Sequence, residues 1–564
     1  MADSLTWAST LLRAFFNLGI RHIIVSPGSR STPLTLAAAT HPGFTKRVVL
    51  DERSAAYQAL GTGKADGVPA LLICTSGTAL ANYLPAVVEA KESGVPIVIL
   101  SADRPPHLRS SGSSQTIDQI KLFGEQAVWF HEAGEPVHES RDYRQLERIA
   151  AQAVESSIRY GGASHVNLPF RKPLEPSANS LSDEKERNRS QLEQQKRKQY
   201  DAASRSTVHL SVEILELLNR SQRPLIIGGP GHPFSVPVHS IHSLAEKLQA
   251  PLFLEPGSGI PQTENTITGY DQFLRHDTCR RELRPDLILR FGAVPVNHSL
   301  QLLLAECRDI PTLQFLSRSG WQDDLYTSDE RIFLTGDTLD TEPVKPKKNR
   351  WIQSFFTHEQ RALERRSELL EQAPTLTDGH IIRHLSRSSG TRFDWMVSNS
   401  FPIRDLALFG SPLITGTRIF ANRGAAGIDG ILSSGLGIQA AAGRPLICLM
   451  GDLAFLHDSN ALLSAQKVGH PVLVVILNNG GGTIFRMLPV REQEEYFKTY
   501  FETPQDVDFQ SLARAHGLDY LLVDSLEKLS KIDPENYLEP KTTILECQTD
   551  PEASMDLRRA LWNG

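Results

Sequence analysis

Two apolar runs near the C-terminus constrain the fold more than any other feature of this chain. Pro445-Leu446-Ile447-Cys448-Leu449-Met450 and Pro471-Val472-Leu473-Val474-Val475-Ile476-Leu477 carry no charged side chain. A strand with one wet face alternates apolar and polar residues. A continuous Val/Ile/Leu run is buried on both faces, as in a parallel sheet covered by helices. The stretch Ser459 to Val468 between them has room for one helix. The unit therefore reads strand–helix–strand, with Gly451-Asp452 at the carboxyl end of one strand and Asn478-Asn479 at that of the other. Open α/β sheets bind their ligands at that edge.

The same alternation fills the first ~175 residues. Strands are expected at His22–Ser26, Arg47–Leu50, Ala70–Thr75, Pro96–Ser101 and His165–Leu168, with helices over Ser4–Leu18, Arg53–Lys64 and Tyr83–Ser93. The charged stretch Leu181–Tyr200 reads as a solvated linker or exposed helix. A second block has strands at Pro224–Gly228, Pro251–Leu254, Asp286–Phe291 and Thr312–Leu316. Its Gly228-Gly229-Pro230-Gly231 reads as a plain strand-to-helix turn, because no full G-x-G-x-x-G follows. Glu342–Arg350, rich in Pro and Lys, reads as a further linker before a third βαβ block. With 564 residues the chain is too long for one core. The expected architecture is α/β, three domains at 1–180, 205–345 and 351–564, each a mostly parallel sheet flanked by helices.

Composition narrows the function classes. A net charge of −6 gives no global positive field for nucleic acid or anionic membrane. The five cysteines are scattered with no C-x-x-C pair, which argues against a disulfide framework or a zinc site. No basic-then-apolar leader and no long uncharged apolar stretch is seen, so a soluble cytoplasmic protein without a membrane span is expected.

At the strand ends, Gly451 lets a backbone approach a phosphate closely and Asp452 supplies a hard anionic oxygen. Asn479 adds a neutral oxygen, and Gly480-Gly481-Gly482 can add backbone groups. Either motif alone would be an ordinary turn; the pair at this spacing resembles the thiamine-diphosphate motif of Gly-Asp followed some two dozen residues later by Asn-Asn. In enzymes carrying that motif the metal ligands are the aspartate, the second asparagine and a backbone oxygen two residues on. Here these would be Asp452, Asn479 and Gly481, holding Mg2+ (or Mn2+). Thiamine chemistry also needs a carboxyl group to tautomerise the aminopyrimidine. Glu52, in Asp51-Glu52-Arg53 after an apolar strand, is the candidate, and burial there would raise its pKa. By itself it would be a helix-N-terminal acid.

Loops at other strand ends carry arginines. Ser26-Pro27-Gly28-Ser29-Arg30-Ser31-Thr32-Pro33 opens a helix, an arrangement that binds anions. Arg104 lies in Ala102-Asp103-Arg104-Pro105-Pro106, Arg404 follows Asn399-Ser400, and Arg423 lies in Asn422-Arg423-Gly424. Each alone would be a surface or structural group; four together read as a pocket for several carboxylates. These stretches, with Thr75-Ser76-Gly77-Thr78-Ala79, Gly427-Ile428-Asp429-Gly430 and Asn479-Gly480-Gly481-Gly482 followed by Ile484-Phe485, resemble the 2-succinyl-5-enolpyruvyl-6-hydroxy-3-cyclohexene-1-carboxylate synthases, a thiamine-diphosphate-dependent family of menaquinone and phylloquinone synthesis.

The resemblance implies decarboxylation of 2-oxoglutarate and 1,4-addition of the succinyl unit to isochorismate. It implies that Ser29, Arg30, Arg104, Gln115 and Arg404 bind isochorismate or its adduct, and that Ser400, Arg404 and Arg423 hold the succinyl carboxylates. Ile428 would be the apolar wedge that bends the cofactor, and Ile484 and Phe485 would line the pocket. It also implies a homodimer or homotetramer with active sites between subunits. One departure stands out: where the family often has a lysine in the central domain, this chain has His298, fully charged only below about pH 6.5, so either it substitutes weakly or another residue such as Arg290 takes the role. Two other readings compete. One is an acetolactate-synthase-like or other 2-oxoacid decarboxylase, which the cost of unpaired guanidiniums around a small apolar substrate disfavours. The other is a non-catalytic paralogue, expected to have lost Glu52 or Asp452; both are present.

Overall fold

A computed structural model describes residues 4–563, apart from 138–139, 195–206, 232–236, 318–321, 335–337, 349 and 411–415. The chain divides into two compact units, Met1–Ala202 with Asn422–Gly443 and Asp458–Lys467, and Ala203–Ala421 with Arg444–His457 and Val468–Gly564.

The first unit is built on a six-stranded sheet of β1 (His22–Val25), β2 (Thr45–Val48), β3 (Leu71–Cys74), β4 (Ile97–Asp103), β5 (Ala127–Glu132) and β6 (Ala163–Pro169). Their order is β2-β1-β3-β4-β6-β5, and every pair is parallel. The reason the strands read as unbroken apolar runs is visible in the packing. Ile23, Val25, Leu71, Ile73, Val98 and Leu100 enter one core with the helix Ser4–Asn17. Their neighbours Ile24, Leu72, Cys74, Ile97 and Ile99 enter a second core on the opposite face, with the helices Glu52–Asp66 and Leu84–Ser93. Within this unit Glu52–Asp66 crosses the helix Ile431–Ala442 closely. A Cβ on Gly61 would meet the Ser434 carbonyl oxygen at 2.0 Å, and one on Gly437 the Gln58 carbonyl oxygen at 2.1 Å.

Two local expectations shift. The second strand spans Thr45–Val48 rather than Arg47–Leu50, because pairing with β1 sets its register from His22↔Thr45 to Val25↔Val48. Val48 and Leu50 are left 72% and 68% exposed on this edge. The charged stretch after residue 180 lies on the helix Ala178–Gln194, and it is not wholly solvated. Glu184 and Asn188 are buried, with Arg13 bonding both. Residues 195–200 of that stretch lie outside the described residues.

The second unit holds two further sheets. One consists of β8 (Pro224–Gly228), β9 (Leu252–Leu254), β10 (Thr266–Ile267), β11 (Leu287–Phe291), β12 (Thr312–Leu316) and β13 (Glu330–Phe333), in the order β10-β9-β8-β11-β12-β13. A short parallel pair, β7 (Thr207–Val208) with β14 (Thr338–Leu339), accompanies it. The glycine turn after β8 is structural. A Cβ on Gly229 would meet the Ala293 carbonyl oxygen at 2.2 Å, and the Gly229 N–H donates to the Phe291 carbonyl. The other sheet is β15 (Asp394–Val397), β16 (Arg418–Phe420), β17 (Leu446–Gly451), β18 (Val472–Asn478), β19 (Asp519–Val523) and β20 (Thr542–Gln548), ordered β16-β15-β17-β18-β20-β19 and parallel throughout. The two runs that constrain the fold are its central neighbours, β17 and β18. The connection between them is a six-residue helix Asp452–His457, a 3-10 turn Ser459–Ala461 and a short helix Leu462–Ala465, rather than one helix. The three sheets make the chain a multi-domain α/β protein. Among the described residues no helix is long and apolar enough to cross a membrane, and all five cysteines are free thiols.

Candidate active site

In the second unit, adjacent strands bring three loops together. β17 lies between β15 and β18, with Val397 opposite Leu449 and Gly451 opposite Leu477. Their carboxyl ends therefore present Ser398–Arg404, Gly451-Asp452 and Asn478–Gly482 side by side. Asp452 begins its helix and is buried. Burial pushes its carboxyl up to about 6, against the pull of the Leu453 and Gly481 N–H groups, each 2.7 Å from a carboxylate oxygen. Asn479, also buried, donates its amide N–H to Asp378 at 3.1 Å. Gly481 takes a φ of +119°, and a Cβ there would meet the Glu502 carbonyl oxygen at 2.2 Å, so only glycine fits this turn. Its own carbonyl accepts the Thr483 N–H at 2.8 Å, which leaves a second lone pair. Ile484 and Phe485 follow in the 3-10 turn Thr483–Met487, both half-buried.

Ser400 sits at φ +73° at the head of the helix Phe401–Phe409, and Arg404 donates to the Ser400 carbonyl at 2.7 Å. Burial lowers the Arg404 pKa, opposed by the charges of Asp405, Glu255 and Asp271. Arg404 lines a cavity with Glu255, Asp271, Arg275 and His298. His298 is an exposed residue at the start of the helix His298–Glu306.

In the first unit the strand ends carry the remaining candidates. Glu52 follows β2 as the first residue of its helix, capped by Asp51, whose side chain accepts the Ser54 N–H at 2.9 Å. Glu52 is half-buried in the single chain, short of the buried setting expected for it, because the edge strand leaves this helix start partly open. After β1, a Cβ on Gly28 would meet Thr75 Cβ at 2.2 Å, so the loop lies tightly on the start of the Thr75–Ala79 stretch. Ser29 is exposed. Arg30 is buried and donates from one terminal nitrogen to the Phe170 carbonyl at 2.7 Å, while its Nε has no partner among the described residues. Half-buried Arg104 donates to the Ser114 carbonyl at 3.2 Å, and its Nε likewise has none among them. Gln115, exposed with φ +55°, receives the Ser76 hydroxyl on its carbonyl at 3.0 Å. Arg423 and Ile428 are half-buried on a loop whose Gly424 and Ala425 N–H groups donate to the buried Glu89 carboxylate at 3.0 and 2.7 Å.

Several supporting residues escape sequence reasoning. Asn167 donates to Asp103 and Glu132 at 2.8 and 2.7 Å, and Arg109 to the same two carboxylates at 2.8 and 2.6 Å. Gln119 ties this network to Gly77 and so braces the loops of Arg104 and Gln115. Arg558, almost fully buried, bridges Asp378 and Asp405; burial would lower its pKa, but these two carboxylates raise it. Removing one partner from such a buried pair costs about 3–5 kcal/mol. No local motif marks these residues, since most of their partners lie far away in sequence.

The strand-end residues fit a hard cation with a diphosphate. Among the described residues a Cβ on Gly451 or Gly480 would meet no atom within 4 Å, which leaves room beside both strand ends. Among the described residues no cluster of three or more His, Cys, Asp or Glu side chains could hold a metal by itself. An ion here would take one carboxylate with neutral and ligand oxygens, a set that magnesium accepts.

Comparison with known proteins agrees with this geometry. Residues 5–122 match the family described as thiamine pyrophosphate enzyme, N-terminal TPP binding domain, and residues 414–547 match its C-terminal TPP binding domain. The chain is 36% identical to the 2-succinyl-5-enolpyruvyl-6-hydroxy-3-cyclohexene-1-carboxylate synthase of Geobacillus kaustophilus, over 100% of this chain and 98% of that protein. It is 36% identical to the synthase of the same name from Roseiflexus, covering 98% and 97%, and 35% identical to that of Synechococcus elongatus, covering 99% and 95%. Similarity at this level along the whole chain, with both cofactor-domain families matched, places the protein in the 2-succinyl-5-enolpyruvyl-6-hydroxy-3-cyclohexene-1-carboxylate synthase family of thiamine-pyrophosphate enzymes.

Proposed function

We propose that the protein decarboxylates 2-oxoglutarate and adds the succinyl unit to isochorismate in a 1,4-addition, releasing CO2, as a step of menaquinone or phylloquinone synthesis in the cytoplasm. The observation that carries this reading is the meeting of Asp452 and Asn479 with the Ser400–Arg404 loop at adjacent strand ends of one sheet. Asp452, Asn479 and the Gly481 carbonyl would hold Mg2+ or Mn2+, and Gly451 would admit the diphosphate. Bound thiamine diphosphate supplies the nucleophilic carbon and the electron sink that loss of CO2 requires. The chain supplies orientation and proton placement. Glu52 would be the carboxyl that shares a proton with the nitrogen of a bound pyrimidine. Ile428 would be the apolar wedge against the bound cofactor, and Ile484 and Phe485 would line the pocket.

Arginines meet the acids. Ser400, Arg404 and Arg423 would take the succinyl carboxylates. Ser29, Arg30, Arg104 and Gln115, with Arg404, would take isochorismate; the partnerless Nε atoms of Arg30 and Arg104 suit that role. His298 shares the Arg404 cavity and would stand in weakly for the family's lysine. The domains at 1–180, 205–345 and 351–564 would be the pyrimidine-binding, central and diphosphate-binding domains. A homodimer or homotetramer would complete each site with Glu52 from a second copy. Val48 and Leu50, exposed just before Glu52, suit burial by that copy.

The test follows isochorismate by absorbance, with thiamine diphosphate, Mg2+ and either 2-oxoglutarate or pyruvate. Loss of isochorismate only with 2-oxoglutarate is expected. Turnover of pyruvate with isochorismate untouched would favour the acetolactate-synthase-like alternative instead.

A further inference from the structure

A buried ionic bridge runs from the cation-site asparagine to the helix of the carboxylate-binding arginine. Asn479 Nδ2 donates to Asp378 Oδ2 at 3.1 Å. The same oxygen receives an Arg558 terminal nitrogen at 2.6 Å, and Thr549 Oγ1 donates to Asp378 Oδ1 at 2.6 Å. On its other side Arg558 Nε donates to Asp405 Oδ1 at 2.8 Å, and its terminal nitrogen bonds Asp405 Oδ2. Its guanidinium carbon also lies 3.8 Å from the centre of the Phe401 ring. Asp378, Asp405 and Arg558 are each at most 1% exposed.

Two physical points give the bridge a role beyond holding the fold. An amide whose N–H end is fixed has its carbonyl oxygen fixed at the opposite end, so Asp378 decides which atom Asn479 offers to a ligand. A buried ion pair also returns little net stability over apolar residues of the same size, so stability alone does not account for it. At the far end, Asp405 directly follows Arg404, and Phe401 and Asp405 belong to the first turns of the helix that carries it.

We infer that Asp378, Arg558 and Asp405 are positioning residues that orient the Asn479 oxygen toward the divalent cation and fix Arg404 for its substrate carboxylate, linking the two subsites through one guanidinium. The inference rests on the reading of Asp452 and Asn479 as cation ligands.

Calorimetric titration of Mg2+ into the full-length protein with saturating thiamine diphosphate tests it, with near-ultraviolet circular dichroism as the check of fold. Asp378→Asn is expected to lower Mg2+ affinity at least about tenfold, and Asp452→Ala to abolish binding. Thr549→Val, which removes one bond to Asp378, should give a smaller loss and serves if Asp378→Asn does not fold. Asp405→Asn should raise KM for 2-oxoglutarate and lower Mg2+ affinity less than Asp378→Asn does. Loss of binding in Asp452→Ala but native affinity in Asp378→Asn or Thr549→Val would overturn the inference alone. Native affinity in Asp452→Ala would overturn the site reading with it. An unchanged KM in Asp405→Asn would overturn the link to Arg404.

Discussion

A glutamate at the first position of a helix gains from the helix dipole, and that is all its local sequence demands. Glu52 has this setting, with Asp51 as its cap and Asn460 donating to Asp51 at 2.7 Å. Its neighbours give it more than a dipole. Burial pushes the Cys74 thiol up to about 12, with its Tyr83 hydrogen bond opposing and the Glu52 charge adding to the rise. Proton sharing by Glu52 predicts that Glu52→Gln lowers turnover by about 10²–10⁴-fold with an unchanged near-ultraviolet spectrum; a near-native rate would remove that role. The placement of Gly451, Asp452 and Asn479 at strand ends was legible, because an unbroken apolar run precedes each. A residue's role was illegible where the reason is a distant partner. Nothing near Asp378 in the chain announces Arg558, and nothing near Glu89 announces the N–H groups of Gly424 and Ala425.

Elements were legible in proportion to their burial. Pro224–Gly228 and Thr312–Leu316 coincide with β8 and β12 because both faces of each strand are covered. β5, Ala127–Glu132, is half-buried at the sheet edge and mixes Trp, Phe, His and Glu, so no period marks it. The break between β17 and β18 also hides from hydropathy. At its centre Asp458 is fully buried and accepts the Ser433 N–H and hydroxyl at 2.7 and 2.9 Å. Burial pushes its carboxyl up to about 7, with those two hydrogen bonds pulling the other way. The folded pKa exceeds the unfolded value of about 3.9, so the folded state binds more protons between the two. Its contribution to stability is therefore full below about pH 4 and is lost as pH rises through about 7. Denaturant melts should show the native chain losing more stability from pH 5 to pH 8 than Asp458→Asn does. Equal losses would show that Asp458 is ionised throughout.

At the scale of the whole molecule, three parallel sheets follow from three blocks of apolar runs, and a family resemblance carried by loops at strand ends agrees with identity along the full chain. Composition could not have distinguished this protein from any other α/β enzyme; the loops did, because carboxylate, amide and guanidinium groups gather where parallel strands end. The division into two compact units was not legible, since it draws Asn422–Gly443 and Asp458–Lys467 out of their sequence neighbourhood by packing alone. The most direct test of the account uses 2-oxoglutarate carrying carbon-13 in its 1-carboxyl group, with isochorismate, thiamine diphosphate and Mg2+, read by mass spectrometry. Labelled CO2 is expected in step with isochorismate loss, with an unlabelled product whose mass is that of the two acids less CO2. Labelled CO2 with isochorismate intact, or a product that keeps the label, would contradict it.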